Sequence, residues 1–200
     1  MTKRSKMEEI LALVRRHGIL RPRDLGAAHI PRSYLQRLVT RGVLERTGRG
    51  LYRMIGDDVG EHHSMAEACK RVPHGVVCLL SALRFHDLTT QAPFEVWMAI
   101  DGKARAPAPG YPPLRIVRMS GEAGTTGVEE HPVEGIVVRV YSRAKTVADC
   151  FKFRNKVGLD VAIEALREYR RVRGSMDDLW RFAQVCRVAN VIRPYLEATA

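Results

Sequence analysis

Near the start of the chain Met7, Ile10, Leu11 and Val14 recur at the spacing of one helical face, while Lys6, Glu8, Glu9, Arg15 and Arg16 fall elsewhere. That pattern predicts a first helix over residues 5–17, stopped by Gly18. Pro22 suits the first turn of a second helix, which Gly26 weakens and Pro31 cuts short. Over residues 31–41, Leu35, Leu38 and Val39 form a buried stripe and leave Arg32, Ser33, Gln36, Arg37 and Thr40 outward, with Gly42 placed to end the helix. Two short strands follow, 43–46 and 51–54, around Thr47-Gly48-Arg49-Gly50, whose glycines permit the positive backbone angles of a tight turn. Three helices and a two-stranded ribbon in this order predict a winged helix-turn-helix.

Residues 55–63 are polar and acidic, with Gly56, Asp57, Asp58 and Gly60, and mark a link between two parts. Beyond them 64–71 and 76–86 carry helical patterns, and 94–100, 114–119 and 135–141 alternate apolar with polar residues as strands do. Residues 101–113, rich in Gly, Pro and Ala and carrying Lys103 and Arg105, read as a long exposed loop. From Ser142 the pattern is helical throughout: 142–156, a break at Gly158, a helix capped by Asp160 to about Arg173, one capped by Ser175 to about Cys186, and a last over 189–198. The expected architecture is α+β, with a winged helix-turn-helix over 1–56. A larger domain over 64–200 would combine a small, mostly antiparallel sheet with a C-terminal helical bundle.

Charge separates the two parts. Of a net +11, residues 1–56 carry 13 Lys and Arg against 4 Asp and Glu, a balance of +9, whereas 57–200 carry 20 against 18. A compact module of that charge concentrates polyanions and gains affinity by counterion release. The partner this predicts is double-stranded DNA. A winged module lays its last helix in the major groove and its ribbon along the sugar-phosphate rail. Arg32, Ser33, Gln36 and Arg37 are then the residues at or near the bases, Arg46, Arg49 and Arg53 grip phosphate, and Tyr34 and Arg41 are further DNA contacts. On the later helices Lys145, Lys152, Arg154, Lys156, Arg167, Arg170, Arg171 and Arg173 form a basic row. Such a row is usually a solvated face; on the same side as the wing it would extend the phosphate track. The alternative is a basic module that grips a protein, with DNA binding incidental.

Catalytic chemistry finds little support. Lys145 and Asp149 have the spacing of an ordinary surface ion pair on a helix, roughly 0.2–0.5 kcal/mol. His86 beside Asp87 reads as a cap or packing residue, and Trp97 and Trp180 sit in apolar patterns as core residues. The Gly121 to Gly127 segment lacks the phosphate-loop arrangement, carries Glu122 and reads as a flexible loop. His62, His63, Cys69, His74 and Cys78 match no common zinc spacing, so neither a metal nor another cofactor is expected. No clustered carboxylates suggest a two-metal nuclease or nucleotidyltransferase. The four cysteines, Cys69, Cys78, Cys150 and Cys186, form no CxxC pair, and the chain opens on an amphipathic helix instead of a signal sequence, so a reduced cytoplasmic protein is expected. The longest uncharged apolar run, around 75–83, is well short of the ~20 residues of a membrane span.

Three later strings carry a resemblance: Leu79-Leu80-Ser81-Ala82-Leu83-Arg84-Phe85-His86-Asp87-Leu88-Thr89-Thr90, then Glu95-Val96-Trp97-Met98-Ala99-Ile100, then Val140-Tyr141-Ser142-Arg143-Ala144-Lys145-Thr146-Val147-Ala148-Asp149-Cys150. With the N-terminal winged pattern and the closing Cys186-Arg187-Val188-Ala189-Asn190-Val191, the chain resembles the AbiEi antitoxins of bacterial abortive-infection, type IV toxin–antitoxin systems. Gly26 in the second helix departs from the family pattern. The resemblance implies an antitoxin that also represses its own operon by binding inverted repeats in the promoter. It further implies a nucleotidyltransferase-like toxin as functional partner, countered without a stable complex.

Overall fold

The computed structural model describes residues 5–26, 28–48, 50–56 and 62–198. Helix α1, Lys6–His17, begins in a reciprocal cap: the Glu8 amide donates to Ser5 Oγ at 3.2 Å and the Ser5 amide to Glu8 Oε2 at 2.8 Å. A single 3-10 turn, Pro22–Leu25, replaces the expected second helix, and α2 runs Ser33–Thr40. Strands β1, Leu44–Gly48, and β2, Leu51–Met54, pair antiparallel, and Leu20 bridges to Tyr52 at the ribbon's other edge. Ile10, Val14, Leu20, Leu25, Ile30, Leu35, Leu38 and Leu44 close the core of this part.

The rest is built on a five-stranded sheet in the order β5-β4-β3-β7-β6, with β3 Val76–Val77, β4 Val96–Asp101, β5 Leu114–Met119, β6 Val128–Val133 and β7 Ile136–Tyr141. The expected mostly antiparallel sheet is corrected to a mixed one: β3–β4 and β6–β7 are antiparallel, but β3–β7 and β4–β5 are parallel. Parallel neighbours need a crossover of a dozen residues or so, and the Gly/Pro/Ala-rich segment 102–113 is that crossover between β4 and β5. The helix expected over 76–86 gives its first residues to β3, leaving α4 as Leu79–Phe85. The segment expected as a flexible loop holds a one-turn helix, α5, Glu122–Thr125.

Strand alternation sends side chains to two layers. Val96, Met98, Ile100, Val138 and Val140 face α3, His63–Arg71. Trp97, Ala99, Val117 and Tyr141 face the helical layer. That layer comprises α4, α6 Arg143–Lys152, α7 Arg154–Val157, α8 Leu159–Arg171, α9 Met176–Val185 and α10 Ala189–Ala198. The N-terminal part docks on the α3 side: Ile19 and Leu51 are buried in the same cluster as Met65, Val72 and Ile136. Much of the expected linker, 57–61, lies outside the described residues.

Candidate nucleic-acid interface

Leu35 and Leu38, 1% and 2% exposed, seat α2 on its core, and the helical period then forces the residues between them outward. Arg32, Ser33, Gln36, Arg37, Thr40 and Arg41 are all exposed. Between Asp24 and Glu45 the chain has no acidic residue, so α2 itself carries no carboxylate among these side chains. Arg32 occupies the N-cap position and offers no side-chain cap; the Tyr34 and Leu35 amides of the first turn donate to the Pro31 and Arg32 carbonyls at 3.2 and 3.1 Å. Tyr34 is half-buried, with the Arg37 guanidinium 5.2 Å from its ring centroid. Arg41, at the far end of α2, approaches Met7 Sδ at 3.2 Å.

The ribbon separates two arginines expected to act together. Arg46 pairs across the strands with Tyr52, on the ribbon face that carries Leu44, and stays exposed with its Nε donating to the Gly48 carbonyl at 3.1 Å. Arg53 pairs with Glu45 on the opposite face, and its Nε donates to Glu45 Oε1 at 2.5 Å. That face turns toward α3. Arg53 is therefore corrected from phosphate contact to structural ion pair: only 21% of its side chain is exposed and a carboxylate already neutralises it. Arg49 lies outside the described residues.

Behind Arg53 a charged cluster closes the seam. Glu67 of α3 is fully buried; His63 Nε2 stands 3.7 Å from its Oε1, and His63 Nδ1 is 2.5 Å from Glu134 Oε2. The Thr47 hydroxyl faces Glu67 without a well-formed hydrogen bond. Glu67, with burial the largest influence and acting to raise it, is nonetheless held below the usual carboxylate range by His63, Thr47 and Arg53. Contact with Glu67, and then with Glu134, raises His63 above the usual imidazole value. Nearby, Lys70 of α3 meets Asp24 of the 3-10 turn at 2.9 Å.

The basic row of the later helices is not brought to α2. Lys145 is fully buried and donates from Nζ to Asp149 Oδ2 at 2.5 Å, with Nζ 4.2 Å from the Tyr141 ring centroid. The surface pair expected there is thus an interior one, and Lys145 cannot touch phosphate. The signal was present in Val147, Cys150 and Phe151, which share its helix and leave little of it to solvent. Burial pushes the Asp149 carboxyl up against the pull of Lys145, and Cys186 Sγ donates to Asp149 Oδ1 at 3.2 Å. Lys152, Arg154, Arg167, Arg170 and Arg171 belong to the helical layer, across the sheet from α3 and the ribbon. Arg171 pairs with Glu168 at 2.7 Å, Arg170 donates to the Leu196 carbonyl at 3.2 Å and Arg154 to the Phe151 carbonyl at 3.0 Å.

His86 caps α4 and its Nε2 lies 2.7 Å from the Tyr141 carbonyl, a packing role. Among the described residues no group of three His, Cys, Asp or Glu could hold a metal ion, and no helix is long and apolar enough to cross a membrane. Sequence reasoning passed over Arg21 and Arg23, which flank Pro22 on the turn beside α2; the Arg-Pro-Arg string was their only signal.

Residues 8–55 match the family described as "Transcriptional regulator, AbiEi antitoxin". Among solved structures, the crystal structure of the RV2827C protein from Mycobacterium tuberculosis is similar with a TM-score of 0.56 at 13% identity, covering 92% of this chain and 77% of that one. That likeness is one of fold. No curated protein matches the chain.

Proposed function

We propose that the chain is a DNA-binding transcriptional repressor of the AbiEi antitoxin type, whose residues 5–56 act as a winged helix-turn-helix. The observation that supports this reading is the outward face of α2: Arg32, Ser33, Gln36, Arg37, Thr40 and Arg41 exposed together, with no carboxylate in the stretch between Asp24 and Glu45. The match of residues 8–55 to the regulator family supports it independently. In this reading α2 enters the major groove, with Arg32, Ser33, Gln36 and Arg37 at the base edges. An arginine reads guanine and a glutamine adenine through paired hydrogen bonds, each worth about 1–3 kcal/mol of discrimination. Tyr34, Arg41, Arg46 and Arg49 hold the flanking phosphates. Bound at inverted repeats in its own promoter, the protein blocks polymerase sterically. Its antitoxin role counters a nucleotidyltransferase-like toxin without a stable complex.

The test is a gel-shift titration of the full chain against its own upstream region and a scrambled duplex at two salt concentrations. Gln36→Ala and Arg37→Ala are expected to relax the preference for the cognate duplex. Equal loss on both duplexes would remove their base-reading role. A wild-type protein that prefers neither duplex, or that co-purifies with the toxin in place of binding DNA, would reject the reading in favour of a protein-interaction module.

A further inference from the structure

Beside the N-terminus of α2 a cleft of about 490 Å³ opens between the N-terminal part and the β4–β5 crossover. One wall carries Arg21, Arg23 and Arg32; the other is the crossover stretch from Pro107 to Tyr111, with Arg71 of α3 behind it. No acidic side chain lines it. Asp24, the nearest carboxylate in sequence, is engaged by Lys70 at 2.9 Å and stands 3.9 Å from Arg23 Nε, whose side chain is otherwise largely exposed.

The crossover wall is built in place. Loops of this length without secondary structure are uncommon in compact domains and are often functional. Here two guanidinium groups clamp the loop: Arg118 donates to the carbonyls of Gly102 at 2.7 Å and Ala104 at 2.9 Å, and Arg71 to those of Ala108 at 2.6 Å and Pro112 at 2.7 Å. Pro107, Pro109, Pro112 and Pro113 stiffen what lies between and beyond those clamps. The loop also touches the ribbon, since a methyl group at Gly48 would stand 3.2 Å from the Tyr111 carbonyl.

We propose that this cleft is a second DNA-contacting site, which takes a stretch of sugar-phosphate backbone flanking the bases that α2 reads. The proposal rests on the DNA-binding reading above and adds the crossover loop to it. Arg32 carries the argument, because it both opens α2 and lines the cleft, so a strand leaving the α2 face passes directly between the walls. Arg21 and Arg23 supply the planar, charged donors that phosphate oxygens accept from. Arg71 is a positioning residue: both its terminal nitrogens hold loop carbonyls, and it adds charge without a free fork. The proline and alanine surface opposite fits deoxyribose, which carries few polar atoms.

The experiment uses the full chain. All four native cysteines are buried, so Ala108→Cys places a singly accessible thiol on the loop wall for an iron–EDTA conjugate. Bound to the cognate duplex, it is expected to cut the DNA beside the half-site. The same conjugate on Lys152→Cys, exposed in the helical layer, is expected to give no cutting above background. In unlabelled protein, the Arg21→Ala, Arg23→Ala double variant should weaken cognate and scrambled binding by the same factor and flatten the salt slope by about 0.9 for each arginine. Bound protein whose position-108 conjugate leaves the duplex uncut, or an unchanged slope in the double variant, would overturn the proposal. So would protection of that thiol by polyglutamate but not by duplex, which would assign the cleft to an acidic protein. A wild-type chain that binds no duplex at all would instead sink the underlying reading.

Discussion

Removing the carboxylate of Asp149 isolates one physical question, the difference between a surface ion pair and an interior one. In Asp149→Ala the Lys145 ammonium stays fully buried, with the Tyr141 ring beside it and no counterion. Breaking a buried pair in this way costs about 3–5 kcal/mol. In a protein of this size each kcal/mol moves the melting temperature by about 2–4 °C, so the expected drop is about 6–20 °C. A solvated i,i+4 pair would contribute only about 0.2–0.5 kcal/mol, or about 0.4–2 °C. The two cases are therefore separable by one thermal scan. The paired replacement Lys145→Met, Asp149→Leu removes both charges and refills the volume, and is expected to lie near wild type or above it by about 1–4 kcal/mol. Calorimetry of the two variants beside wild type is the assay. An Asp149→Ala protein that melts within about 2 °C of wild type would refute the interior-pair argument, as would a double variant less stable than the single.

The seam cluster gives a pH prediction. The value of His63 is raised on folding, so its contribution is complete below the unfolded imidazole value and disappears as pH rises through the folded one. Glu67 is depressed, so its contribution holds above the unfolded carboxylate value and is lost as pH falls through the folded one. Melting temperature against pH should therefore show a plateau between those limits, and His63→Gln should abolish the alkaline-side decline; an unaltered alkaline limb would contradict this. Arg53→Ala is expected to leave the salt slope of DNA binding at its wild-type value and to lower stability by less than about 1 kcal/mol. Arg46→Ala should flatten that slope by about 0.9, and reversed behaviour in the two titrations would mean the ribbon faces have been misassigned. Gly127 has φ +70° and a methyl there would stand 2.9 Å from Lys145 Cβ and the Phe182 ring, so Gly127→Ala should cost about 1–3 kcal/mol in a denaturant melt. A midpoint unchanged from wild type would show that the ring moves aside.

The first helix and α2 were legible because their signals are local: Met7, Ile10, Leu11 and Val14 share one face of α1, Gly18 ends it, and Leu35 and Leu38 set the face of α2, whereas the second helix, weakened by Gly26 and cut by Pro31, is only a 3-10 turn. The same holds for the last helix, whose expected span of 189–198 is the observed one. The sheet was less legible, since alternation along β4 and β5 specifies which residues face which layer but not the direction in which neighbouring strands run. Strand β6 went unread because Val-Glu-Glu-His-Pro-Val is polar and broken by Pro132, a composition tolerated at the sheet edge where it lies. At the candidate interface the exposed row of α2 followed from periodicity alone. Arg53 did not, because its neutralisation depends on Glu45 across the ribbon and on which side α3 packs. Lys145 failed for a similar reason: spacing identifies a pair on a helix, and only tertiary packing decides whether water reaches it.

Ile19 and Leu51 act as two aliphatic rivets between the N-terminal part and the sheet-bearing body. A module fastened in this way is expected to keep its orientation. Were two copies to meet on a repeated operator, the distance between their reading helices would be machined by the shape of the bodies instead of by chain slack, so that base pairs inserted between the repeats could not be absorbed by swinging.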